Sequence, residues 1–394
     1  MRPQREARLT ITQLEALFMS TSAVSDVPVN VEEELLDVCD RFKIDGVYLG
    51  YEEVKLGHIN STYYVHFIRP NGDDRRYVLQ KINMYVFKNP RVIMENIDRI
   101  CTHIREKDPS AALHFHHTRD GKNYYIRKSA FWRMYTYVEG GMVPAGSADG
   151  LRAAGKAFGR FQIELADFDA TLLKETIPDF HNTKKRFEHL FSTTLEDPCG
   201  RAAEVRDELM MTHEVSSLAC KIAYDAEKGL FPIRPTHNDT KTNNVVVDLK
   251  TDEPICVIDL DTVMPGFIMH DFGDAIRYGA NAAAEDEADL SLVRLDMDMF
   301  RAFAEGFIGE TAPILTKAEL ESMALGALAM TAECGVRFLD DYLSGDQYFR
   351  IAYPEHNLVR ARNQLTLAKD MIAHMDEMNE VVNEIYHRAL AEKA

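Results

Sequence analysis

The sequence predicts an α+β fold with two lobes of unequal size, a small strand-rich lobe followed by a larger, mainly helical one. Three observations lead to this prediction. Strand signals dominate between residues 47 and 138, helical periodicity dominates after residue 150, and a strand-rich insert interrupts the helices from about residue 234 to 263. A chain of 394 residues is long enough for both lobes, since one domain commonly takes about 100–200 residues.

The first lobe is predicted to contain two β-hairpins. Residues 63–68 and 77–82 are rich in aromatic and β-branched side chains, and a Pro-Asn-Gly-Asp turn separates them. Residues 113–117 and 124–127 flank an Asp-Gly pair, which is a strong signal for a tight turn. We therefore expect two antiparallel strand pairs in this part of the chain.

A helix is predicted between the two hairpins. Asn89 is a favourable N-cap residue, and Pro90 occupies the first helical position, where its missing N–H is not needed. Apolar residues then recur with helical spacing, which predicts a helix with one buried face. These residues are Ile93, Ile97, Ile100 and Ile104.

The second lobe is predicted to be helical apart from its insert. The insert contains two short apolar runs, residues 244–248 and 255–259, which are typical of strands on either side of a turn. Elsewhere apolar residues recur with helical spacing in six segments. These segments are residues 151–167, 184–194, 202–227, 289–307, 317–343 and 355–391.

These patterns place the boundary between the lobes near residue 135. We expect residues 26–134 to form the first lobe, residues 135–394 the second, and residues 1–25 a poorly ordered extension. The extension is basic and then mixed, without the apolar run of a secretion signal. No stretch approaches the roughly 18 apolar residues that cross a bilayer, and the six cysteines lack C-x-x-C spacing. We therefore expect a cytoplasmic protein with reduced thiols.

The net charge narrows the range of partners. With 45 Lys and Arg against 63 Asp and Glu, the formal charge is −18. Binding to nucleic acid phosphates or to anionic lipid depends on a basic surface, so we expect neither nucleic acid nor a membrane as partner. A small phosphate ligand is not excluded, because a pocket can be locally positive in an acidic protein.

The insert carries a polar motif with an informative spacing. His237, Asp239 and Asn244 form the pattern H-x-D-x-x-x-x-N, the spacing of the protein-kinase catalytic loop. In that loop the Asp receives the proton of the acceptor hydroxyl and the Asn binds Mg²⁺. Asp259 ends the second apolar run, where a strand would hold a hard oxygen ligand for the metal. Each residue alone is typical of a turn, so the joint spacing carries the hypothesis.

Several longer stretches resemble one family. The chain is similar to the small-molecule kinases of the aminoglycoside phosphotransferase and choline kinase superfamily, which share a bilobal protein-kinase-like fold. More narrowly, it resembles the N-acetylhexosamine 1-kinase branch. The resemblance extends from about residue 45 to 385. It rests on residues 57–63, 180–183, 236–244, 258–266, 270–274, 335–339 and 341–343.

The resemblance assigns roles to residues of the insert and its surroundings. It implies that Asp239 is the catalytic aspartate and that Asn244 and Asp259 bind the metal. Asp261 is implied to contact a second metal ion or the phosphates. Asp271 is implied to support the catalytic loop by hydrogen bonds.

The resemblance also implies an ATP site on the first lobe. Lys81 lies in a predicted strand just before the predicted helix, which is where kinases place the lysine that binds the phosphates. Glu95 is implied to be the partner of this lysine. No glycine-rich loop is present, and Gly57, Asn60 and Ser61 are expected to bind the phosphates in its place.

The branch implies an N-acetylhexosamine, GlcNAc or GalNAc, that is phosphorylated at its anomeric hydroxyl. His58, His181 and Arg337 are the expected hydrogen-bonding residues for the sugar. Arg337 lies among apolar residues of a predicted helix, so either a ligand or an acidic partner such as Asp340 or Asp341 must balance its charge. The expected cofactors are ATP and Mg²⁺, the expected partner is an amino sugar, and the expected state is a monomer or weak homodimer.

Other functions stay open at this point. The acceptor is alternatively an aminoglycoside, choline or another sugar, although choline would require an aromatic cage. A nucleotide-binding scaffold without catalysis is a different kind of answer, which the presence of Asp239, Asn244, Asp259 and Lys81 disfavours. A metal-dependent hydrolase would need further His or Asp ligands near Asp239, and none is evident.

Overall fold

The first lobe is built on a five-stranded antiparallel sheet with the order β1-β2-β3-β5-β4. In the computed structural model of the chain, the residues described are 31–54, 60–85, 87–111, 113–144 and 146–393, so the expected N-terminal extension lies outside them. A helix precedes the sheet, and a second helix connects β3 to β4. The elements are α1 (Val31–Cys39), β1 (Val47–Val54), β2 (Ser61–Ile68), β3 (Asp74–Ile82), α2 (Pro90–Lys107), β4 (Tyr125–Arg127) and β5 (Ala130–Thr136).

The two faces of this sheet pack against different helices. On one face, Leu79 and Trp132 form a core with Leu35 of α1. On the other face, Ile82 and Phe131 join the main core, which also contains the isoleucines of α2. The sheet is therefore buried on both sides, and each strand residue belongs to one side or the other by the alternation of side chains.

This alternation decides which polar side chains are directed toward the second lobe. Gln80 lies opposite Arg133 across the β3–β5 pair, and Lys81 lies opposite Trp132. Residues that are directly opposite on paired strands share a face. Gln80 and Arg133 therefore lie on the α2 side, where Arg133 contacts Asp261 of the second lobe, whereas Lys81 lies on the α1 side.

One of the two predicted hairpins is confirmed. Strands β2 and β3 pair as expected, but the second hairpin is wrong, because β4 pairs with β5 instead. The reversal falls at Lys128 and Ser129, whose φ angles are 45° and 68°. The Asp-Gly turn does form, with Gly121 at φ 85°, but the segment before it contributes only isolated bridges, between Phe115 and Tyr135 and between Thr118 and Phe42.

The helix that the sequence predicts between the hairpins is confirmed as α2. Pro90 is its first residue, and Ile93, Ile97 and Ile100 are buried. The side chain of Asn89 precedes the helix but accepts no capping hydrogen bond. The apolar stripe rather than the cap thus holds the helix against the sheet.

The second lobe is mainly helical, as predicted, with five short strands. Three of the predicted segments are each broken into two helices, at Cys220, between Leu320 and Met323, and at His374, and α7 was not predicted. The helices are α3 (Ala148–Glu164), α4 (Thr183–Glu196), α5 (Arg206–Ala219), α6 (Lys221–Glu227), α7 (Ile268–Gly279), α8 (Met297–Thr311), α9 (Lys317–Leu320), α10 (Met323–Leu343), α11 (His356–Ala373) and α12 (Met375–Glu392). The strands are β6 (Gly141–Met142), β7 (Arg234–Thr236), β8 (Val245–Val247), β9 (Pro254–Val257) and β10 (Met264–Gly266).

The insert forms two small sheets, with β8 between β6 and β9 and with β7 paired to β10. Helix α7 follows directly and packs closely on α10. A Cβ atom added at Gly273 would lie 2.2 Å from the carbonyl oxygen of Gly326, and one added at Gly326 would lie 2.2 Å from that of Met269, so both positions require glycine for this approach. The close packing fixes α7 beside the loop that joins β7 to β8.

No helix within the described residues is both long enough and apolar enough to cross a membrane.

Candidate active site

Strand pairing in the insert brings Asn244 and Asp259 together. The predicted catalytic loop joins β7 to β8 and ends at Asn244, and Asp259 follows β9. Val245 of β8 pairs with Val257 of β9, and the backbone N–H of Ile258 donates to the carbonyl of Asn244 at 2.8 Å. Two polar side chains that are 15 positions apart in sequence therefore leave neighbouring strand ends.

Asp239 lies within this loop and is held by two neighbours. The Nδ2 of Asn244 donates to the backbone carbonyl of Asp239 at 2.9 Å and to its Oδ2 at 3.1 Å. The Nζ of Lys241 lies 2.8 Å from the other carboxylate oxygen. The Asp239 side chain remains 26% exposed, so its carboxylate is accessible to a small molecule.

Lys241 is a functional candidate that the sequence analysis did not select. Burial opposes its charge, but Asp239 and Asp274 together raise the pKa of Lys241 above its usual value. The side chain is therefore an ammonium group beside the Asp239 carboxylate. Its position two residues after Asp239 within the motif was the signal that could have identified it.

Two buried carboxylates of α7 hold the backbone of the loop. Asp271 accepts the backbone N–H groups of His237 at 2.9 Å and Asn238 at 2.7 Å. Asp274 accepts the backbone N–H of Thr240 at 2.9 Å. Burial raises the pKa of Asp271, and its hydrogen bonds to the backbone limit that rise. Asn238 has φ 62°, which lets the chain reverse direction directly before Asp239.

Asp259 presents its carboxylate next to the loop, and no side chain in the described part of the chain forms an ion pair with it. Burial by the surrounding protein raises the pKa of Asp259 to about 7, and the negative charges of Asp261 and Asp239 add to this effect. The positive charges of Arg133 and Lys241 oppose the rise. The residue nevertheless keeps solvent exposure. With φ at 61°, the backbone of Asp259 has a left-handed conformation, which is unfavourable for residues other than glycine.

The Asp259 carboxylate and the Asn244 amide oxygen fit a magnesium ion that also binds phosphates. Within the described residues no hydrogen bond reaches either group, so both have lone pairs to offer. No group of three or more His, Cys, Asp or Glu side chains in the described part of the chain is arranged to hold a metal by itself. Mg²⁺ commonly takes one or two carboxylates and completes its shell with water and phosphate oxygens, which matches this donor set.

Asp261, the expected second metal or phosphate contact, is engaged elsewhere. It forms a buried ion pair with Arg133, and its Oδ2 accepts a hydrogen bond from Asn60 at 3.1 Å. The Oδ1 of Asn60 in turn accepts the backbone N–H of Asn83 at 3.0 Å. Asn60 is thus brought to the site, but it binds Asp261 across the two lobes.

The predicted pairing of Lys81 with Glu95 is wrong. Lys81 lies 3.8 Å from Glu34 of α1 and 5.4 Å from the ring centroid of Trp132, while Glu95 forms an ion pair with Lys174 at 2.5 Å. The physical reason is the two-residue period of a strand, which turns Lys81 to the α1 side of the sheet.

The other expected phosphate contacts have mixed outcomes. Ser61 lies opposite Lys81 in the β2–β3 pair and shares its face of the sheet. Gly57 and His58 lie outside the described residues. Polar residues on the α2 side include Gln80, Arg133 and Thr62, which the sequence analysis did not select; Gln80 donates to the Thr62 hydroxyl at 3.0 Å.

His181 lies next to the catalytic loop. Its Nε2 is 3.4 Å from the backbone carbonyl of Asn238, and its Nδ1 is 2.9 Å from the carboxylate of Glu333. Glu333 is buried and also accepts the hydroxyl of Thr183 at 2.8 Å. His181 is therefore oriented by the buried carboxylate of Glu333, and it contacts the loop at Asn238, the residue before Asp239.

Arg337 lies in a ring of aromatic side chains. Its guanidinium carbon is 5.5 Å from the centroid of Phe180, 5.7 Å from that of Tyr348 and 5.3 Å from that of Phe349. Phe180 also packs on His181, so the two expected acceptor residues lie in one area.

The expected acidic partners do not pair with Arg337. Asp340 contacts His189, and Asp341 accepts backbone N–H groups of residues 347–349. Within the described residues no ion pair balances the Arg337 charge. A charge of opposite sign is nevertheless near, because Glu333, one turn earlier on α10, interacts electrostatically with Arg337 without forming an ion pair. A ligand as the partner of Arg337 stays a prediction.

A family model for the phosphotransferase enzyme family (APH) matches residues 50–303. This match covers more than half of the chain and includes most of the first-lobe sheet, the predicted catalytic loop and Asp259. The chain therefore belongs to the phosphotransferase enzyme family.

Solved structures with the same architecture include three phosphotransferases. An aminoglycoside phosphotransferase from Alicyclobacillus acidocaldarius is 14% identical, with a TM-score of 0.56, and the match covers 88% of this chain and 96% of that one. Spectinomycin phosphotransferase APH(9)-Ia, in complex with ADP and spectinomycin, is 12% identical with a TM-score of 0.56, covering 86% and 98%. A microcompartment-associated aminopropanol kinase is 13% identical with a TM-score of 0.59, covering 88% and 98%. These likenesses confirm the bilobal kinase-like fold.

Proposed function

We propose that this phosphotransferase moves the γ-phosphoryl group of ATP to the anomeric hydroxyl of an N-acetylhexosamine, giving the sugar 1-phosphate. The observation that carries the transfer reaction is the partly exposed Asp239 carboxylate, held by Asn244 and Lys241 beside the carboxylate of Asp259. Membership of the phosphotransferase family supports the same reaction class.

Asp239 has the role of orienting the acceptor hydroxyl. One carboxylate oxygen pairs with Lys241 and the other accepts from Asn244, so the group is held in one orientation before substrate arrives. Because phosphoryl transfer has a loose transition state, the hydroxyl loses its proton late, and Asp239 receives it. Rigid positioning matters more here than base strength.

Lys241 supplies positive charge at the point of transfer. Its ammonium group stays protonated because Asp239 and Asp274 raise its pKa. A cation fixed in this position stabilises the negative charge of the phosphoryl group without having to reorganise during the reaction. Lys241 therefore takes over the charge compensation that was expected from Lys81.

The nucleotide is proposed to bind as ATP with Mg²⁺. Asn244 and Asp259 would hold the cation, which neutralises phosphate charge when it is bound. Of the solved structures described above, spectinomycin phosphotransferase contains ADP, in keeping with a nucleotide cofactor. The overall charge of −18 does not oppose this, because the site has its own cations.

The acceptor is proposed to lie between the catalytic loop and the Arg337 area. A sugar ring can pack against Tyr348 or Phe349 and accept hydrogen bonds from Arg337. His181 would bind a sugar oxygen through Nε2, in exchange for its 3.4 Å contact with the Asn238 carbonyl. The choice of an N-acetylhexosamine rests on the resemblance of the sequence stretches that contain these residues. The solved structures do not decide it, since the named acceptors of the neighbours differ.

The test is ATP consumption with a panel of acceptors: GlcNAc, GalNAc, glucose, choline and an aminoglycoside. We expect turnover with the two N-acetylhexosamines and a product that mild acid hydrolyses, because an anomeric phosphate is labile. The product should also have lost the reducing end of the sugar. A stable 6-phosphate, or turnover with choline or the aminoglycoside alone, would contradict the acceptor proposal while leaving phosphoryl transfer intact.

A further inference from the structure

A buried ion pair joins the first lobe to the segment that carries Asp259. Arg133 on β5 is 1% exposed and contacts the carboxylate of Asp261, which is 3% exposed. The two residues are 128 positions apart in sequence. Burying two charges is costly unless their remaining hydrogen-bonding groups also find partners.

A network of polar side chains supplies those partners. Gln80 accepts from the Nε of Arg133 at 2.9 Å and from its Nη2 at 2.7 Å, and donates to Thr62 at 3.0 Å. The second oxygen of Asp261 accepts from Asn60 at 3.1 Å. Residues from β2, β3 and β5, together with the residue directly before β2, are thereby linked to one carboxylate of the second lobe.

The segment that contains Asp261 is held from both sides. Asp259 stands two residues earlier, in a left-handed conformation that persists only where the surroundings hold it. On the loop side, the hydroxyl of Thr262 donates to the carbonyl of His237 at 2.7 Å. On the lobe side, Arg133 binds Asp261. The orientation of Asp259 thus depends on two contacts of the residues that follow it, one with the catalytic loop and one with the first lobe.

We propose that Arg133 is a positioning residue of the site, which holds Asp259 in its cation-binding orientation through Asp261. This inference rests on the proposed function. It makes Asp261 a link between the lobes and not a metal ligand. The planar guanidinium suits the task, because its forked donors reach Gln80 and Asp261 at the same time, which a lysine could not do.

The alternative, direct ligation of the cation by Asp261, predicts a change of opposite sign. If Asp261 were a ligand, replacing Arg133 by an apolar residue would free the carboxylate and strengthen cation binding. If Arg133 positions Asp259, the same replacement weakens cation binding. Losing a residue that orients a metal ligand commonly costs about 10–100-fold in metal affinity.

The experiment measures Mg²⁺ binding in the presence of ADP, by calorimetric titration and by the emission of Trp132, which is the only tryptophan and the neighbour of Arg133. The variants are Arg133→Met, Arg133→Lys and Asp261→Asn. We expect Arg133→Met and Asp261→Asn to weaken Mg²⁺ binding by about tenfold or more, and Arg133→Lys to restore part of the loss. Thermal unfolding of each variant shows that the chain is folded.

The matched control is Glu208→Gln. Glu208 is another buried carboxylate with an arginine partner, the Nε of Arg362 at 2.5 Å, but it joins α5 to α11 within the second lobe. We expect this variant to lose stability and to bind Mg²⁺ as the wild type does. If it weakened Mg²⁺ binding as much as Asp261→Asn, the positioning role would be refuted.

Two further outcomes decide the inference. Mg²⁺ binding in Arg133→Met that equals or exceeds that of the wild type would overturn it. Should Arg133→Met fail to fold, unchanged Mg²⁺ binding in both Arg133→Lys and Asp261→Asn would overturn it equally.

The titration needs no acceptor, so a failure of sugar turnover contradicts only the proposed function. Failure of the wild-type chain to bind Mg²⁺ with ADP would contradict the proposed function itself.

Discussion

The catalytic loop of the second lobe and the sheet of the first lobe position their charged side chains in different ways. In the loop, backbone N–H groups bind the buried carboxylates of Asp271 and Asp274, and these bonds set the place of Asp239. In the sheet, strand pairing decides only the face on which a side chain lies, so Arg133 is turned to the α2 side and Lys81 to the α1 side. The position of a side chain in the loop thus depends on individual hydrogen bonds. In a strand it depends on whether the residue occupies an odd or an even position, so a shift of one residue moves a side chain to the other face of the sheet.

Among the variants of groups around Asp239, the largest effect is expected from Asp259→Asn. Removal of this carboxylate takes away the charged cation ligand that we propose, and cation chemistry contributes several kcal/mol to such reactions. We expect kcat/KM for ATP to fall by about 10³-fold in steady-state assays with saturating Mg²⁺. Asp252→Asn is the matched control, because Asp252 also has a positive φ of 56° but lies in an exposed turn. Activity above one tenth of the wild type in Asp259→Asn would contradict the metal assignment.

The comparison between loop and sheet is tested most sharply by two lysines. Lys241→Met should lower kcat by about 10²-fold, since removing one fixed group that stabilises transition-state charge has an effect of this size. Lys81→Met should change kcat and the KM for ATP by less than about threefold, because its contact with Glu34 is partly exposed. If Lys81→Met lost as much activity as Lys241→Met, the assignment of Lys81 to the α1 face of the sheet would be wrong.

A smaller effect is expected at the acceptor end of the site. Arg337→Met keeps most of the packing against the aromatic rings but removes the charge and the hydrogen-bond donors. We expect about a tenfold increase in the KM for the sugar, with the KM for ATP unchanged, as for the loss of one good hydrogen bond to a charged group. Arg350→Met, at an exposed site, should leave both constants unchanged. An equal change in the two KM values would show that Arg337 acts on the fold and not on the acceptor.

The smallest expected effect is on stability. Asp271→Asn replaces an acceptor of two backbone N–H groups by an amide with only one accepting oxygen, so a buried donor loses its partner. We expect the free energy of unfolding to fall by about 1–3 kcal/mol in chemical denaturation. The exposed Asp289→Asn serves as the control. A variant as stable as the wild type would show that the catalytic loop does not depend on this carboxylate.

The loop could be predicted from the sequence because its geometry is local. Asp239 and Asn244 lie within six consecutive residues, and Asp259 follows an apolar run that indicates a strand. Lys241 lies between them and is equally visible in the motif. Such information does not depend on how distant parts of the chain pair.

The contacts made by strands could not be read in the same way. The face of Lys81 depends on the pairing of β3 with β5, and the role of Arg133 depends on Asp261, which is 128 positions away. The second hairpin failed for a related reason, since β4 had two possible partners and paired with the one that follows it. Asp340 and Asp341 follow Arg337 closely in sequence, but Asp340 contacts His189 and Asp341 binds the backbone of a later segment.

The measurement that tests the central claim most directly compares turnover and nucleotide binding in Asp239→Asn. The variant keeps the size of the side chain and removes the carboxylate that we propose to orient the acceptor hydroxyl. We predict that kcat falls by about 10²–10⁴-fold, while the dissociation constant for ADP in the presence of Mg²⁺ stays within a few-fold of the wild-type value. Full turnover in this variant would contradict the mechanism.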